Sequence, residues 1–195
     1  MIIYKISILI IWIIWIIVYW KGGIDLVSIF LRSFKTQSYF YDKFFIICLV
    51  ILSNIMLWSG YLNIRFKFNF KLLIDKDIFT ILGFLMVLFG ALLSFYGKLQ
   101  MKTSWSAYTK PHQEILIIDK GFYSIIRHPI YLFSIIMTFG TTLVFSFWWN
   151  FICGFLMIIL YILKMNFEEK MLINNVPYYK EYKKRVKYKL IPFIF

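Results

Sequence analysis

The feature that most limits what this chain can become is a stretch without a single charge, residues 129–163. A helix rises about 1.5 Å per residue and needs roughly 20 apolar residues to cross about 30 Å of hydrocarbon. The stretch is too long for one crossing and barely enough for two, so it predicts a tight helical hairpin. Phe147-Trp148-Trp149-Asn150 stands at its midpoint, where interfacial tryptophans and a turn-forming Asn suit a reversal. Three apolar segments precede it. The spans are expected at 2–20, 44–62, 78–97, 129–147 and 149–164, with Lys5 snorkelling from the first. Tyr19-Trp20-Lys21 ends that first segment as an aromatic belt and a stop, without the small residues of a cleavage site. The expected fold is therefore all-α: a polytopic membrane bundle of about five helices, one domain over 1–195, with a helical tail at 165–195. A hydrophobic content of 62%, against roughly 45–50% in soluble domains, agrees.

Orientation follows from the basic residues of the short loops. With a cytoplasmic C-terminus, segments 20–43, 98–128 and 164–195 face inward with 4, 5 and 8 Lys and Arg, and 5 remain outside. Much of the net charge of +13 then faces anionic lipid. The basic residues are spread over loops and line no soluble module, which argues against nucleic acid as a partner. The abundance of Ile, Lys, Phe and Asn suggests an AT-rich bacterial genome and hence an inner membrane. Cys48 and Cys153 both fall inside spans, where a thiol is a small apolar group, so neither a disulfide nor a metal site is expected.

Three polar segments join the spans. In 21–43, Ile24, Val27, Phe30, Leu31 and Phe34 recur at helical spacing and suggest an amphipathic stretch lying in the interface. Segment 98–128 is long, and its Leu116-Ile117-Ile118-Asp119-Lys120-Gly121 reads as an extended piece ending in a turn, a candidate lid or pocket wall. In the tail, good helix formers carry the last span past Lys164, Asn174-Asn175-Val176-Pro177 breaks it, and a second helix is expected from Pro177 through Arg185 toward Val186, the structure ending at Pro192.

At the mouth of the charge-free stretch stands Arg127-His128-Pro129-Ile130-Tyr131. Proline fits a first helical turn because its missing N–H would be unpaired there anyway. That places Arg127 and His128 at a helix N-terminus, where the positive dipole end and an arginine fork suit a carboxylate or phosphate, with the Tyr131 hydroxyl about one turn on. By themselves the two basic residues read as interfacial anchors. Glu168-Glu169 changes the balance, because two acids at the basic end of the last span call for a partner: Arg127, a lysine, or a cationic ligand such as a sulfonium. Tyr178, Tyr179 and Tyr182 suit either a stacked base or the headgroup region. No Gly-x-Gly-x-x-Gly, His-Glu-x-x-His or Gly-x-Ser-x-Gly is present, and two histidines are too few for haem or di-iron sites.

Taken together, Gly121-x-Tyr123-x-x-x-Arg127-His128-Pro129-x-Tyr131, Glu168-Glu169-x-x-Leu172, Pro177-x-Tyr179-x-x-Tyr182-x-x-Arg185-Val186 and a late Ile191-Pro192 resemble the isoprenylcysteine carboxyl methyltransferase and phospholipid methyltransferase group of membrane enzymes. The resemblance covers about 90–192. It implies a multi-span helical fold, S-adenosylmethionine as methyl donor, and a site built from the last hairpin and the tail on the cytoplasmic side. It assigns Arg127, His128, Pro129, Tyr131, Glu168 and Glu169 to the cofactor and active-site region, with Tyr179, Tyr182 and Arg185 beside them. Two departures, Val176-Pro177 before the tail tyrosines and Asp119-Lys120 before Gly121, do not touch the chemistry. On this reading Arg127 or Arg185 orients an anionic group, and Glu168 or Glu169 faces the cofactor's cationic or ribose portion. His128 with Tyr131 shapes the methionine end, with Pro129, Glu169, Tyr179 and Tyr182 counted among the cofactor contacts. The leading acceptor is the carboxylate of an isoprenylated cysteine or similar acid entering from the bilayer, ahead of a phospholipid amine. An NADPH-dependent membrane reductase and a non-enzymatic anchor are the competing classes.

Overall fold

The computed structural model describes residues 2–20, 37–66, 77–101 and 117–194. Six α-helices occur among them: α1 (Ile2–Trp20), α2 (Gln37–Phe66), α3 (Asp77–Met101), α4 (Pro129–Val144), α5 (Trp148–Asn175) and α6 (Tyr179–Arg185). The described residues contain no strand, only one isolated parallel bridge between Ile126 and Tyr188. Two helices, α3 and α5, are long and apolar enough to cross a membrane. Ile3–Val18, Phe44–Trp58 and Pro129–Val144 are shorter apolar helices. The expected boundaries of 2–20 and 78–97 match α1 and α3 closely, whereas α2 extends beyond 44–62 at both ends. The amphipathic reading of 21–43 falls on residues outside those described, except for 37–43, which belong to α2. The lid reading of 98–128 likewise loses 102–116 from view.

α3 and α4 form the most extensive helix pair. The buried positions of α3 are Thr80, Gly83, Val87, Gly90, Ser94 and Gly97, alternating three and four apart, so one stripe of small residues faces α4. A Cβ placed on Gly83 would lie 2.5 Å from the Gly140 carbonyl oxygen, and one on Gly90 2.9 Å from that of Phe133. The two backbones meet because the side chains are missing, the device by which helices pack in a solvent as apolar as their own side chains. α1 is tied to this pair by two indoles: Trp12 Nε1 donates to Thr141 Oγ1 at 3.0 Å and Trp15 Nε1 to Ser94 Oγ at 3.1 Å.

The outer surface is apolar. Ile6, Ile10 and Ile13 of α1, Ile47 and Ile51 of α2, Leu85, Phe89 and Leu92 of α3, and Ile152, Phe155 and Ile159 of α5 are all exposed. Ser94, Thr138, Thr141 and Asn150 are buried. A soluble protein distributes these groups the other way; apolar faces of this extent are made for a non-aqueous environment.

The connection between α4 and α5 lies earlier than the sequence predicts. α4 stops at Val144, Phe145–Phe147 make the turn, and Trp148, Trp149 and Asn150 already form the first turn of α5. Asn150 sets this register, because its side-chain amide donates to the Phe145 carbonyl at 2.9 Å and its own N–H donates to Phe147 at 2.9 Å. α4 and α5 touch near the turn, where Gly154 packs against Thr142, and again at the other end, where Tyr131 reaches Glu168.

Candidate active site at the start of α4

Lys120 is extended and leads into Gly121, whose φ of +60° opens a 3₁₀ turn over Gly121–Ser124. Only glycine takes that conformation without strain, and a side chain there would collide with Gln100, whose Oε1 accepts from the Phe122 N–H at 3.1 Å. The turn delivers Arg127 and His128 to the start of α4, with Pro129 at its first position as expected.

The tail comes back to the same place. After α6, residues 186–190 lie alongside 126–128. The Arg127 N–H donates to the Tyr188 carbonyl and the His128 N–H to that of Lys189, both at 3.0 Å. One of the unpaired donors that a helix start presents is thereby satisfied by the protein itself. Arg127 Nη1 donates to the Val186 and Lys187 carbonyls at 2.8 and 2.6 Å.

Both acids of α5 arrive here, and they have different surroundings. Adjacent residues point about 100° apart on a helix. Glu169 is buried. Its Oε1 accepts from Arg127 Nε at 2.7 Å and lies 3.2 Å from His128 Nε2, while its Oε2 accepts from Lys183 Nζ at 3.0 Å and has Lys189 Nζ at 3.7 Å. Burial alone would raise this carboxyl's pKa, but the hydrogen bonds from His128, Arg127 and Lys183 outweigh it, and Glu169 is held well below the usual carboxylate range. Glu168 is half-buried, and the one hydrogen bond it receives among the described residues comes from the Tyr131 hydroxyl, at 2.9 Å. Tyr131 lies between the rings of His128 and Tyr161, at centroid distances of 5.6 and 5.8 Å.

Tyr179 and Tyr182 are buried, with rings 5.7 Å apart, and Tyr182 donates to the Tyr123 carbonyl at 2.8 Å. Burial, with Glu169 and Glu168 nearby, drives the Tyr179 hydroxyl far above its usual pKa, and burial does the same to Tyr182. Neither phenol ionises near neutral pH, so both serve as packing and hydrogen-bonding groups. Arg185 stands apart. It is exposed and pairs with Asp119 at 2.9 Å, away from the Arg127–Glu169 contact.

Of the nine residues expected at the site, the structure joins Arg127, His128, Pro129, Tyr131, Glu168 and Glu169 directly, packs Tyr179 and Tyr182 beneath the tail, and leaves Arg185 at the rim. Lys183 and Lys189 were not legible. They complete the ion cluster, yet nothing in their spacing sets them apart from Lys180, Lys184 and Lys187. Two polar groups of the cluster retain capacity. Glu168 has a second carboxylate oxygen, and Arg127 Nη2 donates to none of the described residues although the side chain is 6% exposed. A carboxylate and a guanidinium that both keep hydrogen-bonding capacity suit a ligand carrying both a cation and an anion.

The family model for phospholipid methyltransferases matches residues 78–180, more than half of the chain, and the protein belongs to that family. No curated protein gives a significant match. Family membership and the apolar helices together make this a membrane-associated methyltransferase.

Proposed function

We propose that the protein is an S-adenosylmethionine-dependent methyltransferase of the membrane interior, acting on a lipid-embedded acid such as the carboxylate of an isoprenylated cysteine. Its apolar helices are read as five crossings over one domain, α4 and α5 forming the last hairpin, with the site and the C-terminus at the cytoplasmic face of an inner membrane. The observation that carries this reading is the meeting of Arg127 and His128 with Glu168-Glu169, four residues some forty positions apart in sequence. S-adenosylmethionine combines a sulfonium and ammonium with a carboxylate, and the remaining capacity of Glu168 and of Arg127 Nη2 is complementary to that pair of charges. Bound there, it supplies an electrophilic methyl group.

The protein's own task is then to position and to shield. Arg127, immobilised by Glu169 and two tail carbonyls, presents a fixed donor edge to an anionic group. Tyr131 orients the Glu168 carboxylate, and Tyr161, Tyr131 and His128 wall the site with rings that exclude water. Glu169 is a poor base because Arg127, Lys183 and Lys189 surround it with positive charge, which favours an acceptor that arrives already ionised. A carboxylate meets that condition; an amine must first lose a proton. N-methylation of a phospholipid amine is the second reading. The family description supports it, and in that case Glu168 is the available base. Arg185, at the rim, is placed to steer an anionic substrate on its way in.

Calorimetry with S-adenosylmethionine on detergent-solubilised protein tests the donor before any acceptor is known. Saturation with the cofactor should raise thermal stability by about 2.7 kcal/mol at one hundred times its dissociation constant. Stabilisation by NADPH instead would move the protein to the reductase class. Methyl-label transfer to a farnesyl-cysteine analogue, compared with phosphatidylethanolamine, then decides the acceptor.

A further inference from the structure

The last residues of the chain do something that neither the methyl-transfer site nor the bundle requires. Residues 191–194 form a small turn, closed by the Ile194 N–H donating to the Ile191 carbonyl at 3.2 Å. Phe193 holds a φ of +67° in it, a conformation a bulky L-residue adopts only under constraint. The turn hides nothing. Phe193 is 85% exposed and Ile194 80%, with Ile191 also exposed and the Tyr188 ring 5.2 Å from that of Phe193. A constrained turn that pushes two large apolar side chains outward has a surface to meet.

Charge identifies that surface. Residues 177–194 contain six basic residues and one acid, Glu181. Lys183 and Lys189 are engaged with Glu169 and Arg185 with Asp119, while Lys180, Lys184 and Lys187 are exposed on the segment that leads into the apolar turn. Depth points the same way. Tyr188 and Lys189 are hydrogen-bonded to Arg127 and His128, immediately before the charge-free helix α4 begins. Residues 191–194 follow within five positions, a reach of about 18 Å at most. An apolar tip that ends a lysine-rich segment, tethered within that reach of the point where α4 begins, suits the boundary between headgroups and acyl chains.

We infer that the turn 191–194 is an interfacial anchor, inserting Phe193 and Ile194 into the anionic leaflet next to the site while Lys180, Lys184 and Lys187 pair with its phosphates. The inference rests on the membrane reading of the bundle, though not on the identity of the acceptor. Because residues 188 and 189 bond to the backbone of Arg127 and His128, engagement of the leaflet also holds the tail against the start of α4.

The test uses the full chain with Phe193→Cys carrying a nitroxide, in nanodiscs of phosphatidylcholine with and without phosphatidylglycerol. Ile194→Cys is the second probe, Leu92→Cys on the exposed face of α3 the reference, and wild-type protein taken through the same labelling the blank for Cys48 and Cys153. At 193 and 194, collisions with oxygen should exceed those with a water-soluble nickel chelate, and phosphatidylglycerol should widen the difference. Replacing Lys180, Lys184 and Lys187 together with Gln should remove the phosphatidylglycerol effect. A label at 193 and 194 that meets nickel freely, while Leu92 meets oxygen, overturns the anchor and leaves the membrane reading standing. Nickel access at Leu92 as well overturns the membrane reading itself. Shielding from both reagents, whatever the lipid, means that a protein surface or a second copy covers the turn, and the anchor is wrong.

Discussion

The contact between α3 and α4 and the contact between α4 and the tail share one helix and are held by opposite means. The first is built from absence: glycines at 83, 90 and 140 let backbones touch, and no charge is present. The second is built from charge, with Arg127, Lys183, Lys189 and the His128 ring around Glu169 and two tail carbonyls on Arg127. In an apolar solvent, shape complementarity is what holds helices together, so the first contact has no chemistry to spare. At the bundle's polar end, ion pairs in a low dielectric are strong only while complete, which ties the geometry of the site to the docking of the tail.

Removing the acid at the centre should show the largest effect. Glu169→Gln leaves Arg127 buried beside His128 and Lys189 without a counter-charge, a loss of about 3–5 kcal/mol, with a tail that becomes sensitive to protease. Glu168→Gln, one residue away, should leave thermal stability nearly unchanged and abolish methyl transfer. Equal destabilisation by the two would erase the distinction between a structural and a ligand-facing acid.

The same group sets the acid limit. Because its folded-state pKa lies below the ordinary 4.5, the Glu169 contribution is fully present above about pH 4.5 and lost as pH falls further toward the depressed value. Thermal melts of the wild type should therefore weaken in that range, and those of Glu169→Gln should not acquire this dependence.

The glycine seam is tested by Gly83→Ala. Its new methyl would stand 2.5 Å from a backbone oxygen that cannot swing away, so α3 and α4 must separate, at about 1–3 kcal/mol. Cofactor affinity at permissive temperature should be unchanged. If affinity falls as well, the two contacts are mechanically coupled through α4. Tyr182→Phe removes one buried hydrogen bond to the Tyr123 carbonyl, about 1 kcal/mol, and should loosen the tail without disturbing the seam. Smallest is Arg185→Ala: its partner Asp119 and the guanidinium are both solvated, so stability should change by well under 1 kcal/mol, and any effect should appear in the acceptor's KM.

Much of the bundle was legible because local rules decide it. Hydropathy alone delimits α1 and α3, and a proline after Arg-His marks the start of α4. The seven-residue spacing of Gly83, Gly90 and Gly97 was equally visible, but its meaning depended on which helix would lie across it. The reversal was misplaced by three residues because tryptophans and Asn150 carry an interfacial signal as strongly in a first helical turn as in a loop. Asn150 is in fact bonded back to the Phe145 carbonyl.

By itself, the sequence determined a membrane-directed all-helical chain and the meeting of a basic and an acidic pair, since both follow from periodicity, charge and the length of an uncharged run. Only the tertiary structure decided which glutamate is buried, which lysines complete its shell, that Arg127 reads the tail's backbone and that Phe193 faces outward. These are angular choices between neighbours on a helix and contacts across forty to sixty residues. No local pattern encodes them, because each depends on where a distant backbone comes to rest.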